Sequence, residues 1–488
     1  MQPLLPTPTQ DDRDPLRWPV WLKRCAIITA SLANFVTNMA GSGLSVAVPN
    51  LMQEYHKPES AAVQLLTYNF LFLSIGNIFW VPFAHKLGKR ASLLVSMVLQ
   101  AGALVWCATA TSFPSLLAAR CVQGFAGAAG ESIVPEIAAD IFFLYQRAAM
   151  MSIYVILISG GTAIGPLVSS LMVQYLPSTW RTFMWLCFAL AVADIGLMLF
   201  LCPESNFRRP EWEVVSPPVL DATTEEAEKA GAAQEIFLEN APPGREYAVH
   251  QPSFADIIVP IRVDRELNFF CAMVAPLRLV TRPAVIWVIL LYGCALSPQI
   301  IFIFTMSSLL EAPPYFLSSV SVGLMQIAAL IGFILACYGG GVLSDLINSR
   351  IARRRGPRQV RAEDRLVSLI PGMAIGPAGC VLLAFACQNH LHWATIAVGF
   401  GMVSFGTVYT PNIAITYLAH KHQRDAAQCL VLVNVVKNLV AFLFLYQAVQ
   451  WVQSQGYLQV YLVMFALGVV TIGAALPLYL FHGERHVE

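Results

Sequence analysis

The charges of most chemical interest in this chain lie inside an apolar stretch. Arg120, Glu131 and Glu136 all fall within the apolar segment 115–138. On a helix, the separation of eleven residues between Arg120 and Glu131 leaves both side chains within about 20° of one face, about 16 Å apart along the axis. Because an ionised group inside a bilayer costs on the order of 3 kcal/mol, such residues are candidates for binding a charged ligand or carrying a proton. A structural alternative stays open: Arg120 could join two helices by hydrogen bonds, and Glu131 could be a satisfied structural acid.

Further polar residues lie in other apolar segments. Lys437 falls near the middle of segment 425–449, and a cation at that depth requires an acid or a water-filled cavity. The first segment carries Ser and Asn side chains on one helical face, which suit cavity lining and helix packing equally well. The candidate binding residues outside segment 115–138 are Asn34, Asn38, Lys437, Tyr409 and Asn412, together with Tyr292 and Gln299.

The composition predicts that these charges sit in membrane-spanning helices. The 488 residues are 57% hydrophobic and only 12% charged, with a mean hydropathy of +0.62, which is far from the composition of a soluble domain. A span takes about 20 apolar residues. Twelve segments meet that length, near 25–48, 63–83, 91–110, 115–138, 149–173, 180–202, 284–310, 319–342, 366–387, 392–418, 425–449 and 456–481. The fold class predicted is therefore an all-α polytopic membrane protein with twelve transmembrane helices.

The positions of the basic residues predict the orientation of these segments. Of the 30 Lys and Arg residues, 26 lie in the two tails or in every second gap between apolar segments. Positively charged loops stay on the cytoplasmic side of a membrane. Both termini are therefore expected to be cytoplasmic, and the number of spans is expected to be even.

The segments divide into two sets of six. The predicted regions are a cytoplasmic N-terminal tail at 1–24, an N-terminal six-helix bundle at 25–202, a cytoplasmic linker at 203–283, a C-terminal six-helix bundle at 284–482 and a cytoplasmic tail at 483–488. Two parallel repeats joined by a linker are typical of secondary transporters. The end of the linker, near 267–277, is apolar and interrupted by charges, which predicts a short interfacial helix.

Motifs at fixed places in this layout resemble those of the major facilitator superfamily. They are the turn from Gly76 to Arg90, Arg120-Cys-Val-Gln-Gly124, Asp140 to Arg147, Gly161-Thr-Ala-Ile-Gly165-Pro166, and Pro203-Glu-Ser-Asn-Phe207. Within that superfamily the chain is most similar to the fungal drug:proton antiporter branch with twelve spans, and closest to its organic-cation and polyamine permease subgroup. The resemblance covers nearly the whole chain and implies the major facilitator fold.

The resemblance also implies which residues serve conformational change. They are Gly76, Pro82, His85, Gly88, Arg90, Asp140, Arg147, Gly161, Gly165, Pro166 and Asp345. His85 stands where the family has an aspartate, which puts the family's charge pairing in doubt on that side, whereas Asp345 keeps the acid in the second half. The fold that the resemblance implies puts Asp194 on the periphery, which favours a structural role for it.

The function predicted is proton-coupled secondary transport of small organic molecules by alternating access, in the direction of export of toxic compounds or metabolites. An importer of organic cations or polyamines is the first alternative, and a non-transporting receptor on a transporter fold is the second. No phosphate-binding loop and no metal-ligand spacing occurs, so we expect no enzyme activity, no cofactor and no metal. The expected partners are a small-molecule substrate, protons and the lipid bilayer, without nucleic acid, for a monomer in the plasma membrane.

Overall fold

The computed structural model describes residues 14–176, 179–207, 268–340, 362–421 and 426–475, with residues 347 and 350. All regular secondary structure in those ranges is helical. The predicted conformational residue Asp345 lies outside the described residues, as do both tails beyond residues 14 and 475 and most of the linker.

The first half contains seven α-helices after a 3₁₀ turn at Pro15–Arg17. They are α1 (Val20–Gly43), α2 (Val48–Tyr55), α3 (Glu59–Leu87), α4 (Lys89–Thr109), α5 (Phe113–Ile141), α6 (Leu144–Tyr175) and α7 (Thr179–Leu201). Helix α2 is short, so the six others correspond to the six predicted spans of this half. Helix α3 packs on α5, and α1 packs on α6.

The second half begins with a short helix, α8 (Phe269–Val274), which continues as a 3₁₀ turn at Ala275–Thr281. The following helices are α9 (Pro283–Leu310), α10 (Ser319–Leu324), α11 (Gln326–Tyr338), α12 (Ile370–Gln388), α13 (Trp393–Lys421) and α14 (Ala426–Gly473). Helix α14 is broken at Gly456, which has a φ of 76°. It therefore comprises two helical segments.

The count of membrane-crossing helices is consistent with the twelve predicted. Nine helices among the described residues are long and apolar enough to cross a membrane. Helices α1 and α5, with 24 and 29 residues, are about 36 and 43 Å long, which exceeds the bilayer core of about 30 Å. Their mean hydropathy is lowered by the Ser and Asn residues of α1 and the charges of α5. With α14 divided at its break, the helices of this multi-pass membrane protein are consistent with the twelve predicted spans.

Small residues bring the helices of the first half close together. A Cβ atom at Gly76 of α3 would lie 2.6 Å from the carbonyl oxygen of Phe125 on α5, and one at Gly124 of α5 would lie 2.3 Å from that of Asn69 on α3. Trp80 strengthens the same interface by donating its indole N–H to the Phe125 oxygen at 2.7 Å. Such contacts substitute for the hydrophobic effect, which does not drive helix association inside a bilayer.

Contacts between the two halves fix their relative position. Helix α3 packs on α14, and α6 packs on both α10 and α11. The Ser74 hydroxyl of α3 donates to the carbonyl of Val435 at 2.7 Å. Val81 of α3 forms a small buried cluster with Val431 and Val435. The polar site described next lies along this α3–α14 interface.

Candidate functional site

A buried ion pair joins the two halves of the molecule. The ammonium of Lys437, on the first segment of α14, contacts Oε1 of Glu131, on α5. The two side chains are only 9% and 12% exposed. This central ion pair therefore satisfies the requirement, stated above for Lys437, that a cation at this depth needs an acid.

Amide groups hold the other oxygen of the Glu131 carboxylate. Oε2 accepts hydrogen bonds from Nδ2 of Asn77 on α3 at 2.9 Å and from Nδ2 of Asn438 on α14 at 2.8 Å. The backbone carbonyl of Glu131 accepts from the Tyr154 hydroxyl of α6 at 2.8 Å and from Asn434 at 3.3 Å. Both halves thus contribute donors that suit an ionised carboxylate.

Tyr292 covers the other side of the Lys437 ammonium. The ammonium lies 4.7 Å from the centre of the Tyr292 ring and 3.4 Å from its hydroxyl. A cation over an aromatic face is attracted by the ring quadrupole. Tyr292 belongs to α9, so the site draws on helices α3, α5, α6, α9 and α14.

This arrangement makes the ion pair between α5 and α14 depend on the charge of one residue, Glu131. Protonation of Glu131 would remove the attraction for Lys437 and convert an acceptor oxygen into a hydroxyl donor. Breaking a buried pair by removing one charge costs roughly 3–5 kcal/mol, because the other charge is left uncompensated. Proton binding at Glu131 would therefore favour separation of α5 from α14, or replacement of the missing charge by another group.

Arg120 lies elsewhere on α5 and contacts backbone rather than the central ion pair. It is fully buried, and its guanidinium donates to the carbonyls of Leu65 at 3.2 Å, Ala40 at 2.9 Å and Gly41 at 2.8 Å. It also donates to Oε1 of Gln123 at 2.6 Å. These contacts join α5 to α1 and α3, and they support the structural alternative for this residue.

The other sequence-predicted binding residues are spread over three separate places. Asn34 of α1 is buried against Gly130 of α5, and half-buried Asn38 donates to the Asn34 carbonyl at 2.9 Å. Tyr409 of α13 is buried and donates to the Ser368 carbonyl at 2.9 Å. Asn412 is half-buried on the same helix. Among the described residues, the predicted binding residues that meet at the central ion pair are Glu131, Lys437 and Tyr292.

The turn between α3 and α4 is held by the motif that follows α7. Gly88 has a φ of 99°, a conformation that favours glycine. The carboxylate of Glu204 accepts from the backbone N–H groups of Lys89 at 3.0 Å and Arg90 at 3.1 Å, and so caps α4. The Arg90 guanidinium donates to the Leu199 carbonyl at 2.8 Å. The turn from Gly76 to Arg90 and the motif from Pro203 to Phe207 therefore contact each other and hold α3, α4 and α7 together.

A group of charges next to that turn supplies a partner for the unusual His85. Its Nε2 lies 3.0 Å from Oε2 of Glu136. The Lys89 ammonium lies 3.5 Å from the same oxygen and 2.7 Å from Oδ2 of Asp140. Arg147, at the start of α6, donates to the Ala139 carbonyl at 2.6 Å. These contacts join α3, α4, α5 and α6 within the first half.

The motif from Gly161 to Pro166, on α6, packs directly on α1. A Cβ atom at Gly161 would lie 2.5 Å from the carbonyl oxygen of Phe35, and one at Gly165 would lie 2.4 Å from that of Met39. Pro166 lies inside α6, where it removes one backbone hydrogen bond. Pro82 occupies a similar position inside α3. These close contacts must rearrange whenever α6 slides along α1.

Four partners of Glu131 were missing from the candidate binding residues, namely Asn77, Asn434, Asn438 and Tyr154. A sequence signal existed for Asn438, because Asn434, Lys437 and Asn438 recur at the spacing of one helical face. Asn77 is the amide of an otherwise apolar stretch of α3. No signal in the sequence indicated Tyr154. Among the described residues, no cluster of three or more His, Cys, Asp or Glu side chains is arranged to hold a metal ion.

Comparisons with known proteins agree with this architecture. A family model described as the Major Facilitator Superfamily matches residues 30–445. "Protein HOL1" of Saccharomyces cerevisiae is 24% identical, over 99% of this chain and 89% of that protein. "Probable efflux pump mfs2" of Aspergillus flavus is 26% identical, over 89% and 95%. "Probable drug/proton antiporter YHK8" of Saccharomyces cerevisiae is 22% identical, over 93% and 82%.

The fold resembles that of a solved transporter. The crystal structure of the human organic anion transporter MFSD10 (TETRAN) superposes with a TM-score of 0.59, covering 93% of this chain and 99% of that one. The two sequences are 14% identical, so the likeness concerns the fold alone.

Proposed function

The chain belongs to the Major Facilitator Superfamily, and from that premise we propose that it is a proton-coupled exporter of small organic molecules in which Glu131 carries the proton. Members of this superfamily are secondary transporters of small molecules, and the activity of this chain is of that kind. Proton coupling through Glu131 and the direction of transport are the parts that we propose.

The observation that supports the proposal is the central ion pair between the two halves. In alternating access, two repeats rock about a binding site near the middle of the membrane. A buried charge pair between the repeats holds one conformation, and its loss favours another. Glu131 and Lys437 meet at such a place, and only the acid has to change charge for the contact to be lost.

The direction of transport is supported by relatives. One is named as a probable efflux pump and another as a probable drug/proton antiporter. In antiport, the transporter binds a proton and a substrate in turn. One carboxylate between the halves suffices for this if the proton and the substrate compete for it. A single chain contains both halves and the residues of the site, so we propose that the monomer is the transporting unit.

Purified protein in proteoliposomes with an imposed proton gradient tests the proposal. A panel of radiolabelled or fluorescent cationic, neutral and anionic compounds would be supplied, with and without a protonophore. We expect gradient-dependent accumulation of at least one compound, which the protonophore abolishes. Flux that ignores the gradient would contradict proton coupling, and binding without any flux would favour the receptor alternative.

We propose that the protein resides in the plasma membrane with both termini and the 203–283 linker in the cytoplasm. The charge count supports this orientation. A cysteine introduced at Thr223 should therefore react with an impermeant maleimide only after the cells are permeabilised. The wild-type chain, with its own eleven cysteines, is the control for background. Extra labelling of intact cells by the Thr223→Cys variant would overturn the topology.

A further inference from the structure

A further polar link between the halves lies far from the central ion pair, at the start of α3. The Glu59 carboxylate accepts a hydrogen bond from the Ser308 hydroxyl at the end of α9, through Oε1. Its Oε2 accepts from Nε2 of Gln453 at 3.2 Å. Gln453 lies just before the break in α14, so one carboxylate of the first half binds two helices of the second half. We call these three residues the Glu59 clamp.

Other contacts between the halves gather at the same end of the molecule. The Ser307 hydroxyl donates to the carbonyl of Ser45, just after α1, at 3.3 Å. Gly323 of α10 packs so closely on α6 that a Cβ there would lie 2.5 Å from the Cβ of Ser170. Helices α1, α6 and α9 end at this side of the bundle, whereas α3 and α10 begin there. The charge count assigns this end to the external side.

We propose that the Glu59 clamp is a lock that holds this end of the transporter closed and must be released in each cycle. The inference depends on alternating access by the two halves, and it is independent of proton coupling and of the direction of transport. Rocking that opens this end separates α3 from α9 and α14, and the Glu59 carboxylate cannot keep either donor during that motion.

The chemistry of the clamp suits a contact that forms and breaks. Both donors are neutral and the acceptor is a carboxylate, so the hydrogen bonds are charge-assisted without leaving a cation unpaired when they break. Glu59 is half-buried, so water can replace the lost donors. An ion pair at this place would hold the end closed more tightly and would be harder to release.

Glu54 provides a matched control at the same end. It also carries a carboxylate, but its partners lie within the first half: Arg181 of α7 contacts it at 2.6 Å, and the Trp180 indole donates at 2.9 Å. Burial acts to raise the pKa of Glu54, but the bonds from Arg181 and Trp180 outweigh it and hold that pKa below its usual value. Glu54 is therefore charged at neutral pH, as a control for charge alone requires.

The test measures how often this end opens. A cysteine introduced at buried Ser307 reports on opening through its rate of reaction with an impermeant maleimide in lipid nanodiscs, where both faces are accessible. In that background, Glu59→Ala should raise the labelling rate about 5- to 30-fold. Ser308→Ala should act in the same direction and add little to Glu59→Ala. Glu54→Ala should leave the rate unchanged.

A second variant, Glu59→Gln, distinguishes release of the clamp from misfolding. Glu59→Gln keeps the shape and one carbonyl oxygen of the side chain, so an intermediate labelling rate is expected with an unchanged melting temperature. A wild-type labelling rate in both Glu59 variants would overturn the proposal, and so would an equal increase in Glu54→Ala. Failure of the proton-coupling experiment would leave these rates unaffected, so the two proposals are tested separately.

Discussion

Glu131→Gln should abolish substrate accumulation driven by a proton gradient while sparing substrate exchange at equal pH. Glutamine keeps the size of the side chain and an oxygen that accepts from Asn77 and Asn438. Unlike a carboxylate, its amide neither binds nor releases a proton during transport. If Glu131 is the coupling acid, the variant behaves like a transporter whose residue 131 is always in the protonated, uncharged state. Exchange survives because the two halves can still rock.

The measurement compares two initial rates in proteoliposomes. Uptake is recorded with an imposed proton gradient, and exchange of labelled for unlabelled substrate is recorded at equal pH. Asp194→Asn is the control, because Asp194 is also a buried intramembrane acid but lies on α7, which packs on α1, α4 and α6 of the first half. We expect this control to retain the gradient response.

A full gradient response in Glu131→Gln would show that Glu131 is structural. The coupling acid would then have to be sought at Glu136, Asp140 or Asp194, and loss of the response in Asp194→Asn would identify the last of these. The double variant Glu131→Gln with Lys437→Met separates coupling from stability. It removes both charges of the pair, so it should restore any stability lost when Lys437 is left unpaired but not the gradient response.

The helices could be predicted from the sequence because membrane spans carry a strong local signal. Twelve apolar segments of the required length appear in the chain, and they include α1 and α5, whose polar residues lower their hydropathy. The boundaries are less well determined by composition. Segment 63–83 corresponds to α3 at Glu59–Leu87, since polar residues at both ends continue the helix beyond its apolar part.

The individual charges of the site could also be found in the sequence, whereas their pairing could not. Glu131 and Lys437 are conspicuous because ionised residues are costly inside apolar segments. They lie on opposite sides of the linker, and helical periodicity says which face each occupies but not which helix that face meets. The same arithmetic aligned Arg120 with Glu131. The contacts that join Arg120 to other helices are instead made with backbone carbonyls, which every residue carries and no sequence pattern distinguishes.

Gly165→Leu should cut transport while leaving expression and substrate binding largely intact. A Cβ atom at Gly165 would lie 2.4 Å from the Met39 carbonyl oxygen and 2.8 Å from the Ser42 hydroxyl. The nearer of these atoms belongs to the backbone of α1, so it yields only if the two helices move apart. Overpacking of this kind costs about 1–3 kcal/mol, which corresponds to roughly a 5- to 150-fold change in a conformational equilibrium.

A substitution at the neighbouring Gly160 is the control. It tests whether the effect comes from the Gly165 contact or from any added bulk in α6. A Cβ atom there would lie 3.9 Å from the Phe35 ring, an ordinary contact, so Gly160→Ala should transport at the wild-type rate. Gly165→Ala should already slow transport, and Gly165→Leu should slow it further, with substrate affinity within about a factor of ten of wild type in each case. Because α6 also packs on α10 and α11 of the second half, a shift of α6 away from α1 disturbs the surface on which the halves move. Unchanged transport in Gly165→Leu would show that the motif here serves packing alone.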